Sequence, residues 1–318
     1  MCLSINERKM IVLQFKLKVY ESNGQEFENF FVSIMQKIDN DFLPVKAHGN
    51  TGDCKNDGYN PKTGEYNQVY APNNIKNSRT IHNAVEKLKT DFAGLYNYWN
   101  DIIPIKVYNY VINDKYDGCP PQINECIAEL GNQYPEINFR ILGCSQLQSK
   151  FLELEKEKIY ETVEYFPEET IPVEIGVLND VAEYLLSLDH PLLSDDEVLI
   201  APDFVRKITI NGLSSPIFEY LSEANFSVGD LEDLFSSKDK ELKKVLQQRL
   251  ASFYIEAKNL IPEHETEYAN VRYLSVLYKL CPSKKRKYVN AANVIMSYYF
   301  ESCDIFEPPN IGDDNDTT

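Results

Sequence analysis

The apolar residues in the first half of the chain change period repeatedly, and this restricts the fold more than any other feature. From Gly24 to Asp41 they fall at Phe27, Phe30, Phe31, Ile34, Met35 and Ile38, the spacing of a helix with one buried face. Ser22 or Asn23 is in position to cap it. The short run Phe42–Gly49 and a glycine-rich stretch follow. Glu65–Pro72 (EYNQVYAP) is aromatic and β-branched and ends at a proline, so it reads as a strand. The turn PKTGE before it predicts a hairpin whose other arm runs through Asp57–Tyr59. A second helix fits Arg79–Asn100 through Ile81, Val85, Leu88, Phe92, Leu95 and Trp99. Ile105–Ile112 is a nearly continuous apolar strand, the kind buried on both faces. Gln122–Pro135 reads as a helix, Ile137–Gly143 as another buried strand, and Ser145–Lys158 as a helix. The order helix, three short strands, helix, strand, helix, strand, helix predicts an α/β layer fold with a central mixed sheet flanked by helices.

Tyr160–Pro172 (YETVEYFPEETIP) is acidic and carries two prolines, which marks a linker. The expected organisation is an α/β domain over residues 1–158, a linker over 159–172, a mostly α-helical domain over 173–309, and a polar, disordered tail over 310–318. Helical patterns such as Leu242–Ile261 and Asn290–Phe306 carry the second domain.

No run of 18 apolar residues occurs, so no membrane-spanning helix is expected. The first residues lack the apolar core and small-residue cleavage site of a signal peptide. Seven scattered cysteines form no CxxC pair, which points to reduced thiols and a cytoplasmic location. Four widely spaced histidines argue against a zinc site. The net charge of −17 is uneven: residues 1–158 carry 18 Lys and Arg against 20 Asp and Glu, and residues 159–318 carry 14 against 29. A nucleic acid would be repelled by the second half and tolerated by the first. The one dense basic cluster, Lys284–Lys287, lies in the acidic half and reads as the solvated start of a helix.

Gly49–Gly58 (GNTGDCKNDG) is where chemistry is expected. It is not a phosphate-binding P-loop, because the second glycine and the hydroxyl residue of that motif are missing. A divalent-metal site on phosphodiesters needs two or three oxygen ligands, at least one anionic, and a cation beside the phosphate. Asp57 enters a strand after the glycine turn, Gln68 lies on the neighbouring strand, and Glu28 lies in the first turns of the helix expected to pack on the sheet. Facing strands bring such side chains within roughly 5 Å.

These residues resemble the PD-(D/E)XK nuclease superfamily, in particular its restriction-endonuclease branch. Gly24, Phe27 and Glu28 match its G-x-x-F-E helix. Gly52, Asp53, Asp57 and Gly58, followed by Gln68, Val69 and Tyr70, match its G-D-x-x-x-D-G … Q-x-K pattern. The resemblance covers about residues 20–155, where the element order is also the family's. It implies a restriction-endonuclease-like fold, DNA as substrate, and Mg²⁺ or Mn²⁺ held by Glu28, Asp57 and Gln68. Asp53 is either a further ligand or a turn residue accepting backbone N–H groups. The chain departs from the pattern at Tyr70, where the family has a lysine that steadies developing negative charge. Lys55, two residues before Asp57 and so on the same side of an extended chain, is the cation expected to replace it.

The C-terminal pieces KLCP (Lys279–Pro282) and YYFESCDIFEPP (Tyr298–Pro309) resemble the carboxy-terminal domain of bacterial ABC three-component, Lamassu-like conflict systems. There a variable effector precedes a shared domain that docks onto an SMC-like ATPase and a third subunit. The resemblance implies a metal-dependent DNA endonuclease effector in anti-phage defence, restrained by its partners and oligomerising on activation. The competing expectation is an inert adaptor that keeps the nuclease shape, and a third is RNA as substrate.

Overall fold

The computed structural model describes residues 3–46, 54–165, 172–189, 204–238, 240–302 and 305–307. The chain divides into two compact units, residues 18–163 and residues 2–17 together with 164–318. α1 (Ile5–Glu21) begins in one unit and ends in the other.

The 18–163 unit is mixed α/β. α2 (Gly24–Ile38) follows the expected stripe and buries Phe27, Phe30, Phe31, Ile34 and Met35; each fully buried side chain of this kind contributes about 1.5–3 kcal/mol. β1 (Leu43–Pro44), β2 (Gly58–Asn60) and β3 (Glu65–Tyr70) form an antiparallel meander. α3 (Ser78–Trp99) and α4 (Pro121–Gln133) are the crossovers to β4 (Val107–Ile112) and β5 (Asn138–Leu142), each strand parallel to the one before. Parallel neighbours need such long connections. The spatial order equals the sequence order, β1-β2-β3-β4-β5. Asn77 caps α3 by accepting from the amides of Arg79 at 2.9 Å and Thr80 at 3.4 Å.

α3 and α4 pack Leu88, Phe92, Leu95 and Ile123 into one core with Tyr66 and Tyr108. Phe92 meets Tyr108 edge-on at 5.0 Å and Phe139 at 4.8 Å. β4 is buried along most of its length, as expected of a central parallel strand. β5 differs from its expected burial on both faces. It is the sheet edge, with Asn138 and Arg140 exposed and Phe139 and Ile141 packed on the core, because the other face of the strand is left to water. The helix expected over Ser145–Lys158 is two, α5 (Cys144–Phe151) and α6 (Lys156–Val163). Tight turn bonds from Glu153 to Lys150 and from Leu154 to Phe151 close the break. α6 continues into the stretch expected as a linker.

The other unit is helical among its described residues: α7 (Ile175–Ser187), α8 (Phe204–Ile210), α9 (Ile217–Asn225), α10 (Val228–Ser237), α11 (Lys240–Leu260), α12 (Tyr268–Lys279) and α13 (Arg286–Glu301). α13 is its centre: Ala291, Ala292, Val294, Ile295, Met296 and Phe300 are buried, and α7, α8, α9, α10 and α12 pack around it. Residues 5–17 of α1 belong here. The buried Lys16 pairs with the buried Glu265, and Gln14 donates to the Tyr278 hydroxyl at 2.5 Å. Arg272 is buried, donates twice to the Ile261 carbonyl at 2.9 and 2.7 Å, and lies 4.8 Å over the Tyr268 ring. Among the described residues, no helix is long and apolar enough to cross a membrane.

Candidate active site

Because side chains alternate along a strand, Tyr66, Gln68 and Tyr70 of β3 share one face, the face that α3 covers. Tyr66 lies 6.0 Å from the Trp99 ring, and Gln68 Nε2 donates to Asp91 Oδ2 at 2.7 Å. Asp57 stands just before β2 and is fixed on both sides by backbone. Its amide donates to the Asn67 carbonyl at 3.0 Å, and its Oδ2 accepts from the Val69 amide at 2.6 Å. Glu28, half-buried in the early turns of α2, accepts from Gln25 Nε2 at 2.7 Å. The start of α2 is tied to the end of β3 by the Gly24 amide, which donates to the Ala71 carbonyl at 2.8 Å. Gly24 has φ +48° there, a conformation open to glycine at no steric cost.

These elements enclose a cavity of about 380 Å³ whose lining includes Glu28, Lys55, Asp57, Gln68, Tyr70 and Lys87. Four of the residues singled out from sequence, Glu28, Lys55, Asp57 and Gln68, therefore come together. Asp53 and the glycines at 49 and 52 lie outside the described residues. Lys55 is reached through two successive left-handed residues, Cys54 at φ 51° and Lys55 at φ 64°. Its ammonium lies 3.0 Å from Asp91 Oδ1.

Two participants were not expected, Lys87 and Asp91 of α3. Asp91 accepts from Lys87, Lys55 and Gln68. Burial pushes its carboxyl up, but the hydrogen bonds and charges of Lys87 and Lys55 outweigh that and hold it below the usual carboxylate value. The signal was present in the sequence. Asp91 falls between Leu88 and Leu95 on the buried stripe of α3, and a carboxylate there must find partners.

Gln68 is held at both ends of its amide, donating to Asp91 and accepting from the Tyr108 hydroxyl. Burial above all keeps Tyr108 protonated far above the ordinary tyrosine range. Tyr70, at the position of the expected lysine, stacks on Tyr110 at 6.1 Å and donates to the Thr80 carbonyl at 3.5 Å.

The anionic donors of the cavity are oxygens only. Among the described residues, no group of three His, Cys, Asp or Glu stands together as a metal cage. Two carboxylates, Glu28 and Asp57, lining a cavity of about 380 Å³ suit Mg²⁺ or Mn²⁺. Mg²⁺ keeps several waters and takes one or two carboxylates plus substrate phosphate.

Residues 177–307 match the family model described as C-terminal domain 10 of the ABC-three component (ABC-3C) systems. The C-terminal part of the chain thus carries a domain of those systems. No curated protein and no solved structure matches the chain.

Proposed function

We propose that the 18–163 unit is a restriction-endonuclease-like, metal-dependent nuclease that hydrolyses DNA as the effector of an ABC-three component defence system. The C-terminal domain would attach it to partner subunits, an ABC ATPase among them. The observation that carries this reading is the convergence of Glu28, Asp57, Gln68 and Lys55 from α2, the β2 entry and β3 on one cavity. The meander followed by two parallel crossovers supports it. The match of residues 177–307 supports the defence context.

In this reading Glu28 and Asp57 hold the cation. A bound Mg²⁺ or Mn²⁺ supplies Lewis acidity and an activated water. Asp57 is kept in place by the Val69 amide and Gln68 by Tyr108 and Asp91. Lys55 contributes positive charge where negative charge develops on the phosphate.

One observation favours a second reading, an inert adaptor: the position of the expected lysine is filled by a packed tyrosine, Tyr70. The test is cleavage of supercoiled plasmid by the full chain with Mn²⁺, beside Glu28→Gln and Asp57→Asn. Nicking or linearisation that both substitutions abolish is the expected result. Absence of cutting by the folded wild type, with its ATPase partner present, would establish the adaptor instead.

A further inference from the structure

The α3 wall of the cavity is built around one carboxylate. The Asp91 side chain is 4% exposed, whereas those of Lys55 and Lys87 are each 48% exposed. The lysines arrive from different elements, Lys55 from the loop before β2 and Lys87 from the turn of α3 preceding Asp91. A buried aspartate needs hydrogen bonds, and Gln68 together with the i,i+4 lysine would already provide them. Lys55 reaches the same carboxylate through two left-handed residues. Gly94 makes room for it: a Cβ there would lie 3.3 Å from Lys55 Cγ, so the lysine stem runs close over the bare backbone of α3.

Charge gives the arrangement a direction. Two ammonium groups bonded to one carboxylate repel each other, and Asp91 neutralises only one of them. An ammonium has three N–H donors, so Lys87 can bond Asp91 and a phosphate oxygen together. Glu28, Asp57, Lys55 and Lys87 line the same cavity, and Asp91 is bonded to both lysines. Among the described residues these five groups sum to one negative charge. A divalent cation on Glu28 and Asp57 turns that into one positive charge, and a single phosphodiester then balances it.

We propose that Lys87 and Lys55 form a clamp for one backbone phosphate of DNA, and that Asp91 is the positioning residue that holds both ammonium groups at the cavity rim. This rests on the reading of the cavity as a phosphodiester site. It adds Lys87 of α3, which lies outside the sequence pattern, beside Lys55.

The test uses the full chain and a short labelled DNA duplex in Ca²⁺, with binding followed by anisotropy across a salt series and Mn²⁺ binding measured by calorimetry. Each neutralised phosphate contributes about −0.9 to the slope of log affinity against log salt. Lys87→Ala and Lys55→Ala are each expected to lower the magnitude of that slope by about 0.9 and to leave Mn²⁺ binding in place. Lys87→Arg is expected to restore the slope. Asp91→Asn is expected to flatten it as the double lysine variant does, a change that altered stability alone would not produce. An unchanged affinity and slope in Lys87→Ala overturns the clamp, and if the wild type still cuts plasmid the nuclease reading survives that loss. Lysine-dependent slopes in a wild type that never cuts would uphold the clamp and sink the nuclease. A folded wild type that does not bind the duplex overturns both.

Discussion

Asp57 Oδ2 lies 2.6 Å from the Val69 amide, so the carboxylate assigned to the cation is also the acceptor that ties the entry of β2 to β3. The two roles separate by substitution. Asp57→Ala leaves a part-buried N–H without its acceptor, at a cost of about 1–3 kcal/mol at most. Asp57→Asn keeps an oxygen for Val69 and loses only the charge. Urea denaturation is expected to show Asn close to wild type and Ala clearly weaker, while calorimetry shows both losing Mn²⁺ binding. Undiminished Mn²⁺ binding by Asp57→Asn would remove Asp57 from the site.

Asp91 makes stability depend on pH in a defined direction. Its folded pKa is below the ordinary 3.8 because Lys87 and Lys55 outweigh burial. The ionised form therefore adds stability above the unfolded value, and this is lost as pH falls through the folded value. The difference in melting temperature between wild type and Asp91→Asn is expected to be full at neutral pH and to shrink below about pH 3.8. A gap that widens on acidification would show that the lysines do not govern this carboxyl.

Gly58 opens β2 directly after Asp57, and a Cβ there would lie 2.2 Å from Cζ of the buried Phe42. The ring has nowhere to go without moving β2 or α2. Overpacking of this kind costs about 1–3 kcal/mol. Gly58→Ala is expected to lower the denaturation midpoint by that amount and to weaken Mn²⁺ binding through the displaced Asp57. Pairing it with Phe42→Leu is expected to recover part of both losses.

Lys115 closes the C-terminal end of α1, with its ammonium 3.0 Å from the Val19 carbonyl, 2.6 Å from that of Tyr20 and 3.2 Å from that of Ser22. Lys115→Met keeps the stem and removes a donor from all three oxygens; Val19 and Ser22 still accept from Asn113 Nδ2, so the loss falls mainly on the Tyr20 carbonyl, at about 1–3 kcal/mol. Burial pulls the ammonium down to about 8 from 10.5. The folded state thus binds fewer protons than the unfolded one between these values, and stability rises with pH there. Denaturation curves are expected to show the advantage of wild type over the Met variant growing from about pH 8 upward.

The elements legible in the sequence were those with one dominant period. The stripe from Phe27 to Ile38, the hairpin closed by PKTGE and the stripe of α3 each point to one structure, and α2, β2–β3 and α3 follow them. α1 was invisible for the opposite reason. Met10, Ile11, Leu13, Phe15, Leu17 and Val19 are all buried, so from Met10 onward the helix shows no apolar stripe set against an exposed polar face, and its alternation from Leu13 to Val19 mimics a strand. In the cavity, Asp57 and Gln68 were readable because their spacing belongs to the turn and strands that carry them, and Glu28 because it sits on the strongly periodic helix α2. Lys87 and Asp91 belong to a helix whose position over β3 no local pattern states, and only the misplaced charge at Asp91 marked it.

α1 has one further consequence. The helical unit is assembled from two separated pieces of chain, residues 2–17 and 164–318, with the α/β unit inserted between them. Exchange of the α/β unit for another would thus require two junctions, one of them within a helix and in phase with its turns. A single crossover at the acidic, proline-bearing stretch would carry off the first strip of the helical unit with the outgoing α/β unit. It would leave Glu265 buried without Lys16 and the Tyr278 hydroxyl without Gln14. Modularity here is that of an insertion, not of beads on a string.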